Sequence, residues 1–185
     1  MFSNKPDETV YFAFSYPFSY QESQEKIDRI ERLFTNYQTE KNLYFHRETV
    51  YYSIEGRKME MVTISSRDGI TDEYEKLPPE QDGQGLFPEA IEDAEARPRL
   101  FDQNKKVIVF TSRVHPGETP GSHVLNGCLD LITDLKSEQG RLLRKNFVFK
   151  IIPTLNPDGV SRGYYRLDTL GQNLNRFYIN PTRKE

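Results

Sequence analysis

A length of 185 residues suits one medium domain, and 36% hydrophobic content with 11 Tyr and 12 Phe supplies a packed core, which excludes wholesale disorder. The formal charge of −3 lacks the basic surplus of a nucleic-acid binder, and no apolar run is long enough to span a bilayer, so neither nucleic acid nor membrane is an expected partner. A single cysteine, Cys128, rules out an internal disulfide, and Met1–Asp7 lacks the basic and apolar regions of a signal peptide, so a soluble cytosolic protein is expected.

Thr9 to Tyr20 reads as an aromatic, strand-like run broken at Pro17. Residues 22–34 then set Ile27, Ile30, Leu33 and Phe34 on one stripe of a helix. Leu43, Phe45, Val50, Tyr52 and Ile54 alternate with polar residues, as a strand with one wet face does. Lys58–Ser66 predicts a second strand, closed by the turn Arg67-Asp68-Gly69. From Ile70 to Asn104 the composition changes to acidic residues punctuated by Pro78, Pro79, Gly83, Gly85, Pro88 and Pro98. That stretch predicts a long mobile insertion with a short helix over residues 89–96. No internal repeat is present.

Lys106–Thr111 is a continuous apolar run of the kind found in central strands buried on both faces. Thr119–Lys136 predicts a helix whose apolar stripe is Val124, Leu125, Cys128, Leu129, Ile132 and Leu135, with Cys128 as a buried structural thiol. Arg141–Lys145 reads as a solvated basic connection into a second buried strand, Phe147–Ile152. Strand, helix, strand predicts a crossover and a parallel pairing, hence an α/β class. Ligands of such sheets gather at the carboxyl ends of strands, and His115 falls there.

Three short motifs carry the candidate chemistry. His115-Pro-Gly-Glu118 sets two metal-ligating residue types three apart. By itself it also fits a surface turn with a capping Glu. Asn156-Pro-Asp-Gly159 fits a tight turn, because Pro fixes one φ and Gly accepts an unusual one. Asn173-Leu-Asn175-Arg176 ends in a residue that also fits a solvated charge.

In their order and spacing, and with Tyr11-Phe-Ala-Phe-Ser-Tyr-Pro-Phe-Ser-Tyr20 and Gly163-Tyr-Tyr-Arg166 beside them, these motifs resemble the zinc metallocarboxypeptidases of the funnelin type. Within that family the chain looks most similar to the cytosolic carboxypeptidases that trim glutamates from tubulin, the branch-point deglutamylases among them. The resemblance implies an α/β fold, a mixed, largely parallel sheet flanked by helices and preceded by the end of a small β domain. Residues 1–40 would be that end with a connecting helix. Residues 41–185 would be the N-terminal half of the catalytic domain, with the acidic loop at 70–104 inside it.

The resemblance also implies one Zn2+ per complete catalytic domain. His115 and Glu118 match the first two zinc ligands, Asn175 and Arg176 the pair that grips a substrate's terminal carboxylate, and Arg166 the arginine that polarises the scissile carbonyl. A guanidinium fork suits a carboxylate, and a cation near the metal stabilises charge growing on a carbonyl oxygen. Pancreatic-type relatives place another arginine where this chain has Gly117, which removes one substrate contact. The family's third ligand, its tyrosine over the substrate and its glutamate base lie farther along, past Glu185. The chain is therefore expected to be a fragment, inactive alone. His46 and His123 read as structural or solvated.

The implied activity is hydrolysis of C-terminal or branch-point glutamates on polyglutamylated protein tails, those of tubulin and microtubules foremost. The implied location is the cytoplasm, with the cytoskeleton and nucleus as further expectations. Two other readings stand beside it: an inactive module that binds acidic tails or microtubules, and a zinc amidohydrolase acting on small acyl amino acids.

Overall fold

In the computed structural model, residues 7–76 and 97–178 are described. The helix α1, Tyr20–Tyr37, opens on a capping box in which Ser19 and Glu22 satisfy each other's backbone N–H groups. It runs longer than predicted at both ends, and its stripe of Ile27, Ile30 and Phe34 is buried. Before it, the expected strand is absent: residues 8–13 have no regular structure, and Tyr11, Phe12, Phe14 and Tyr16 are exposed. Aromatic content favours a strand only where a neighbouring strand pairs with it.

Strands β1, Leu43–Tyr52, and β2, Lys58–Ser66, form an antiparallel hairpin. Their register shifts between Thr49 and Tyr51, so Val50 is an extra residue. Beyond the bulge the alternation is lost, and Tyr51 and Tyr52 are both exposed. Val50 is buried, whereas Tyr52 and Ile54, predicted to continue the inward series, are exposed.

The expected α/β class holds. Strand β5, Lys106–Thr111, leads through helices α2, Thr119–Thr133, and α3, Glu138–Asn146, into strand β6, Phe147–Ile152. Strands β5 and β6 pair in parallel, as predicted, while β6 pairs antiparallel with β2. The sheet order β1-β2-β6-β5 is thus mixed, with its parallel part confined to the β5–β6 pair among the described residues. Leu43, Val62, Ile64, Phe149 and Ile151 from the sheet pack with Phe34 of α1 and Leu125, Leu129 and Ile132 of α2 in one cluster.

Three expectations are corrected here. The run at 106–111 is not buried on both faces: Ile108 and Phe110 pack on the core, but Val107 is 57% and Val109 62% exposed, and β5 is the last strand of the order. An apolar run records that a strand can be covered, not that a neighbour covers it. The predicted helix ends at Thr133, three residues early; Val124 on its stripe is exposed and Cys128 half-buried. The basic connection is itself helical, and Arg144 is buried, donating to the carbonyls of Ile132 and Asp134 that α2 leaves without helical partners.

The stretch 70–104 is not all loop. Strands β3, Ile70–Tyr74, and β4, Arg99–Phe101, form an antiparallel ribbon closed by a Glu75 N–H to Pro98 O bond of 2.9 Å. The ribbon is anchored where Arg99 N–H donates to the Tyr44 hydroxyl at 2.7 Å and where the buried Lys105 ammonium donates to the carbonyls of Ser66 and Asp68. The helix expected over residues 89–96 lies outside the described residues.

Candidate active site

The parallel pairing of β5 and β6 brings their carboxyl ends together, and the two loops that leave them are bonded to each other. Ser112 N–H donates to Ile152 O, Leu155 N–H to Ser112 O, and Asn156 N–H to Arg113 O. Arg113 is buried and adopts φ 59°, a left-handed conformation that disfavours a side chain. Its guanidinium offsets that strain by holding the loop from inside. Nε donates to Pro116 O at 2.9 Å, and Nη1 to Phe18 O at 2.8 Å and Ser122 Oγ at 3.0 Å. Burial lowers its pKa, yet a guanidinium stays protonated in proteins.

Asn156-Pro-Asp-Gly159, expected to be a turn, opens the short helix α4, Pro157–Arg162. Asn156 Oδ1 caps it by accepting Gly159 N–H at 3.0 Å. The glycine is required by packing: a Cβ there would lie 2.4 Å from Pro116 Cγ. Two of the sequence motifs are therefore in van der Waals contact. Asp158 locks α4 to the β1–β2 hairpin by accepting from Ser53 Oγ at 2.6 Å, Glu55 N–H at 3.1 Å and Arg57 Nη1 at 2.8 Å. Burial pushes the Asp158 carboxyl upward, but these hydrogen bonds and the Arg57 charge outweigh it and hold the pKa below the usual value.

His115 is buried, and its Nδ1 lies 2.9 Å from Glu118 Oε1. Glu118 occupies the N-cap position of α2 but makes no side-chain cap bond, so the capping explanation of the motif fails. The other ring nitrogen, Nε2, lies 3.0 Å from Asn173 Oδ1. That amide atom also accepts Asn175 N–H at 3.2 Å, which identifies it as the oxygen and requires Nε2 to donate. In neutral imidazole the lone pair is then on Nδ1, aimed at a carboxylate that has only lone pairs of its own. Contact between these two atoms needs positive charge, which either a second ring proton or a metal ion bound to both supplies. Nδ1 of His115 and Oε1 of Glu118 thus fit a metal ion as two of its ligands.

Arg166 stands beside this pair, with Nη1 3.9 Å from Glu118 Oε1. It is carried by a loop that docks on the ligand loop through Gly117 N–H to Tyr165 O at 2.8 Å. Asn175 and Arg176 lie on a 3-10 turn, Leu174–Arg176, that begins at the His115 partner Asn173. Both are exposed, and the Arg176 guanidinium donates to Asn175 O at 3.1 Å. Among the described residues, no hydrogen bond or ion pair joins either of them to His115, Glu118 or Arg166.

Among the described residues, no third His, Cys, Asp or Glu joins the pair. His46 lies on β1, and His123 is exposed on α2, its ring against Phe18 and its Nε2 3.2 Å from Tyr16 O. Sequence reasoning missed two working residues, Arg113 and Asn173. The first had a signal, a cation at a strand's carboxyl end; the second acts across 58 residues, and its place in the Asn173-Leu-Asn175-Arg176 motif gave no hint of that role.

A family model described as zinc carboxypeptidase matches residues 30–180. Cytosolic carboxypeptidase-like protein 5 of Bos taurus is 43% identical over 178 residues, covering 94% of this chain and 19% of its own length. Cytosolic carboxypeptidase 6 of Caenorhabditis elegans is 32% identical over 173 residues, covering 94% of this chain and 29% of its own. The chain therefore spans about a fifth to a third of the curated relatives it matches. In fold it is similar to a metallo-carboxypeptidase from Burkholderia cenocepacia, with a TM-score of 0.58 at 21% identity over 89% of this chain and 33% of that one. A metallo-carboxypeptidase from Pseudomonas aeruginosa gives a TM-score of 0.56 at 18% identity, over 89% and 32% respectively.

Proposed function

This chain belongs to the zinc carboxypeptidase family, and from that premise we propose that it supplies part of a zinc site that removes C-terminal or branch-point glutamates from polyglutamylated tails, such as those of tubulin, in the cytoplasm. The observation that supports the metal assignment is the convergence of His115 Nδ1 and Glu118 Oε1, 2.9 Å apart, with the other ring nitrogen held by Asn173. These two residues would hold the zinc, which when bound supplies Lewis acidity and an activated water. The rest follows from the chain's own groups. Asn173 keeps the imidazole from rotating. Arg166, which stands beside Glu118, would stabilise negative charge on a carbonyl oxygen. Asn175 and Arg176 offer an amide and a free guanidinium face to a carboxylate. The cytoplasmic location is supported by kinship with proteins named cytosolic carboxypeptidases, whereas the glutamate preference is supported by the resemblance of the sequence motifs alone.

A second reading is favoured by one observation: among the described residues the metal has only two candidate ligands. On that reading the chain is a module that binds acidic tails without cutting them. Zinc content, and glutamate release from a glutamylated tubulin peptide by the protein that contains this chain, separate the two. We expect His115→Ala with Glu118→Ala to abolish zinc and release together; unaltered zinc content in that double variant would overturn the metal site. Arg176→Ala is expected to retain zinc while weakening peptides with a free C-terminus by at least about tenfold. Equal binding of acid and amide peptides by the parent protein would remove the carboxylate role.

A further inference from the structure

Helix α4 is six residues long, and a helix of that length does not hold its own direction in water. What aims it is the tip of the β1–β2 hairpin. That tip is a closed turn, in which Ser53 N–H donates to Arg57 O and Gly56 N–H to Ser53 O, both at 2.8 Å. It grips α4 at two points. Near the start of the helix, the buried Asp158 carboxylate accepts from Ser53 Oγ, Glu55 N–H and Arg57 Nη1. At its last residue, Arg162 pairs with the Glu55 carboxylate, which also pairs with Arg57. The far end of α4 then hands the chain to Arg166. Gly163 ends the helix in the left-handed conformation, and Tyr164 N–H returns to Gly159 O at 2.9 Å. Arg166 follows three residues later, within about 10 Å of Gly163, so the direction of α4 limits where its guanidinium can reach.

We propose that the tip of the β1–β2 hairpin, through Arg57 and Asp158, is a positioning element for Arg166. The inference rests on the carboxypeptidase reading above, in which Arg166 meets the charge growing on a carbonyl oxygen. Among the described residues, no hydrogen bond or ion pair joins Ser53, Glu55, Arg57 or Asp158 to His115, Glu118 or Arg166, so the influence of the tip passes through α4. Loosening the tip lets α4 turn and moves the guanidinium from its place 3.9 Å from Glu118. A misplacement of about 1 Å at such a group costs up to about a hundredfold in rate. The zinc ligands stand on a loop that Arg113 holds from inside, and Asn175 and Arg176 on a separate turn. The loss therefore falls on kcat and spares metal content and KM.

The test uses the zinc-loaded protein that contains this chain and follows glutamate release from a glutamylated tubulin peptide, with zinc content measured beside it. Arg57→Met should lower kcat about tenfold at unchanged KM and zinc content. Arg57→Lys should keep most of the rate, because both contacts of Arg57 leave from one nitrogen, Nη1, and an ammonium can replace it. The deciding measurement is a double-mutant cycle. In an Arg166→Ala background, Arg57→Met should change kcat by less than about twofold, since the group it positions is gone. A loss there as large as in the parent would make Arg57 a structural residue alone and overturn the proposal. Thermal unfolding shows whether Arg57→Met folds; if it does not, Arg162→Gln decides, with an expected loss in kcat of about threefold that vanishes in the Arg166→Ala background. An unchanged kcat in the folded variant, where Arg166→Ala lowers it, overturns the positioning role and leaves the carboxypeptidase reading intact. No release by the unaltered protein, or an unchanged kcat in Arg166→Ala, overturns both.

Discussion

The loop at 112–118 and the loop at 164–178 meet at one site and are built in opposite ways. The first is largely buried, with Ser112, Arg113, His115 and Pro116 inside, and is bonded to β6, to the chain after it and to Phe18. The second is mostly exposed and docks on the first through the Gly117–Tyr165 and His115–Asn173 contacts. Metal ligands tolerate little misplacement, so a rigid base suits them. Groups that meet a substrate need access, and an exposed loop provides it. The expense of rigidity falls where geometry matters most.

The largest effect that can break this contrast is on Arg113. Arg113→Met leaves the carbonyls of Pro116 and Phe18 without their donor inside the protein, and a loss of about 3 kcal/mol in unfolding free energy is expected by denaturant titration. A loss within experimental error would mean that the ligand loop is no better anchored than its neighbour. Next is Asp158→Asn, expected to cost about 2 kcal/mol at neutral pH by releasing α4 from the hairpin. The folded carboxyl has a depressed pKa, so its stabilisation is complete above the unfolded value, about 4, and is lost as pH falls through the lower folded value. The gap between parent and variant should therefore close in acid; a gap constant down to pH 2 would assign the effect to packing. Smallest in energy, Asn173→Ala should reduce zinc affinity about tenfold or more without altering the unfolding midpoint, whereas Asn173→Asp, which keeps the acceptor, should retain it. An unaffected zinc affinity in the alanine variant would detach the second loop from the metal.

Much of the scaffold was legible because it rests on local pattern. Lys58–Ser66, Lys106–Thr111 and Phe147–Ile152 are the strands their apolar residues predict, and the Ile27, Ile30, Phe34 stripe is the buried face of α1. The misses share a cause, dependence on a neighbour distant in the chain. Exposure at Val107 and Val109 depends on what lies over β5. The ribbon at 70–74 and 99–101 depends on pairing across the intervening segment, and the bulge at Val50 on its partner strand. At the site, residue types at short spacing single out His115 and Glu118, whose side chains the fold sets 2.9 Å apart. They did not find Asn173, whose role comes from a bond across the fold, or the reason for Gly159, which is the proline it touches.

The ribbon has a practical corollary. Glu75 and Pro98 are hydrogen-bonded, so the peptide between them departs from and returns to a single fastened point away from the ligand loops. Closing a longer excursion at such a point costs little, only about 0.6 kcal/mol for each doubling of length. A fluorescent protein or affinity tag spliced between positions 76 and 97 should leave the sheet and the metal-binding end undisturbed, which makes this the natural place to attach a reporter.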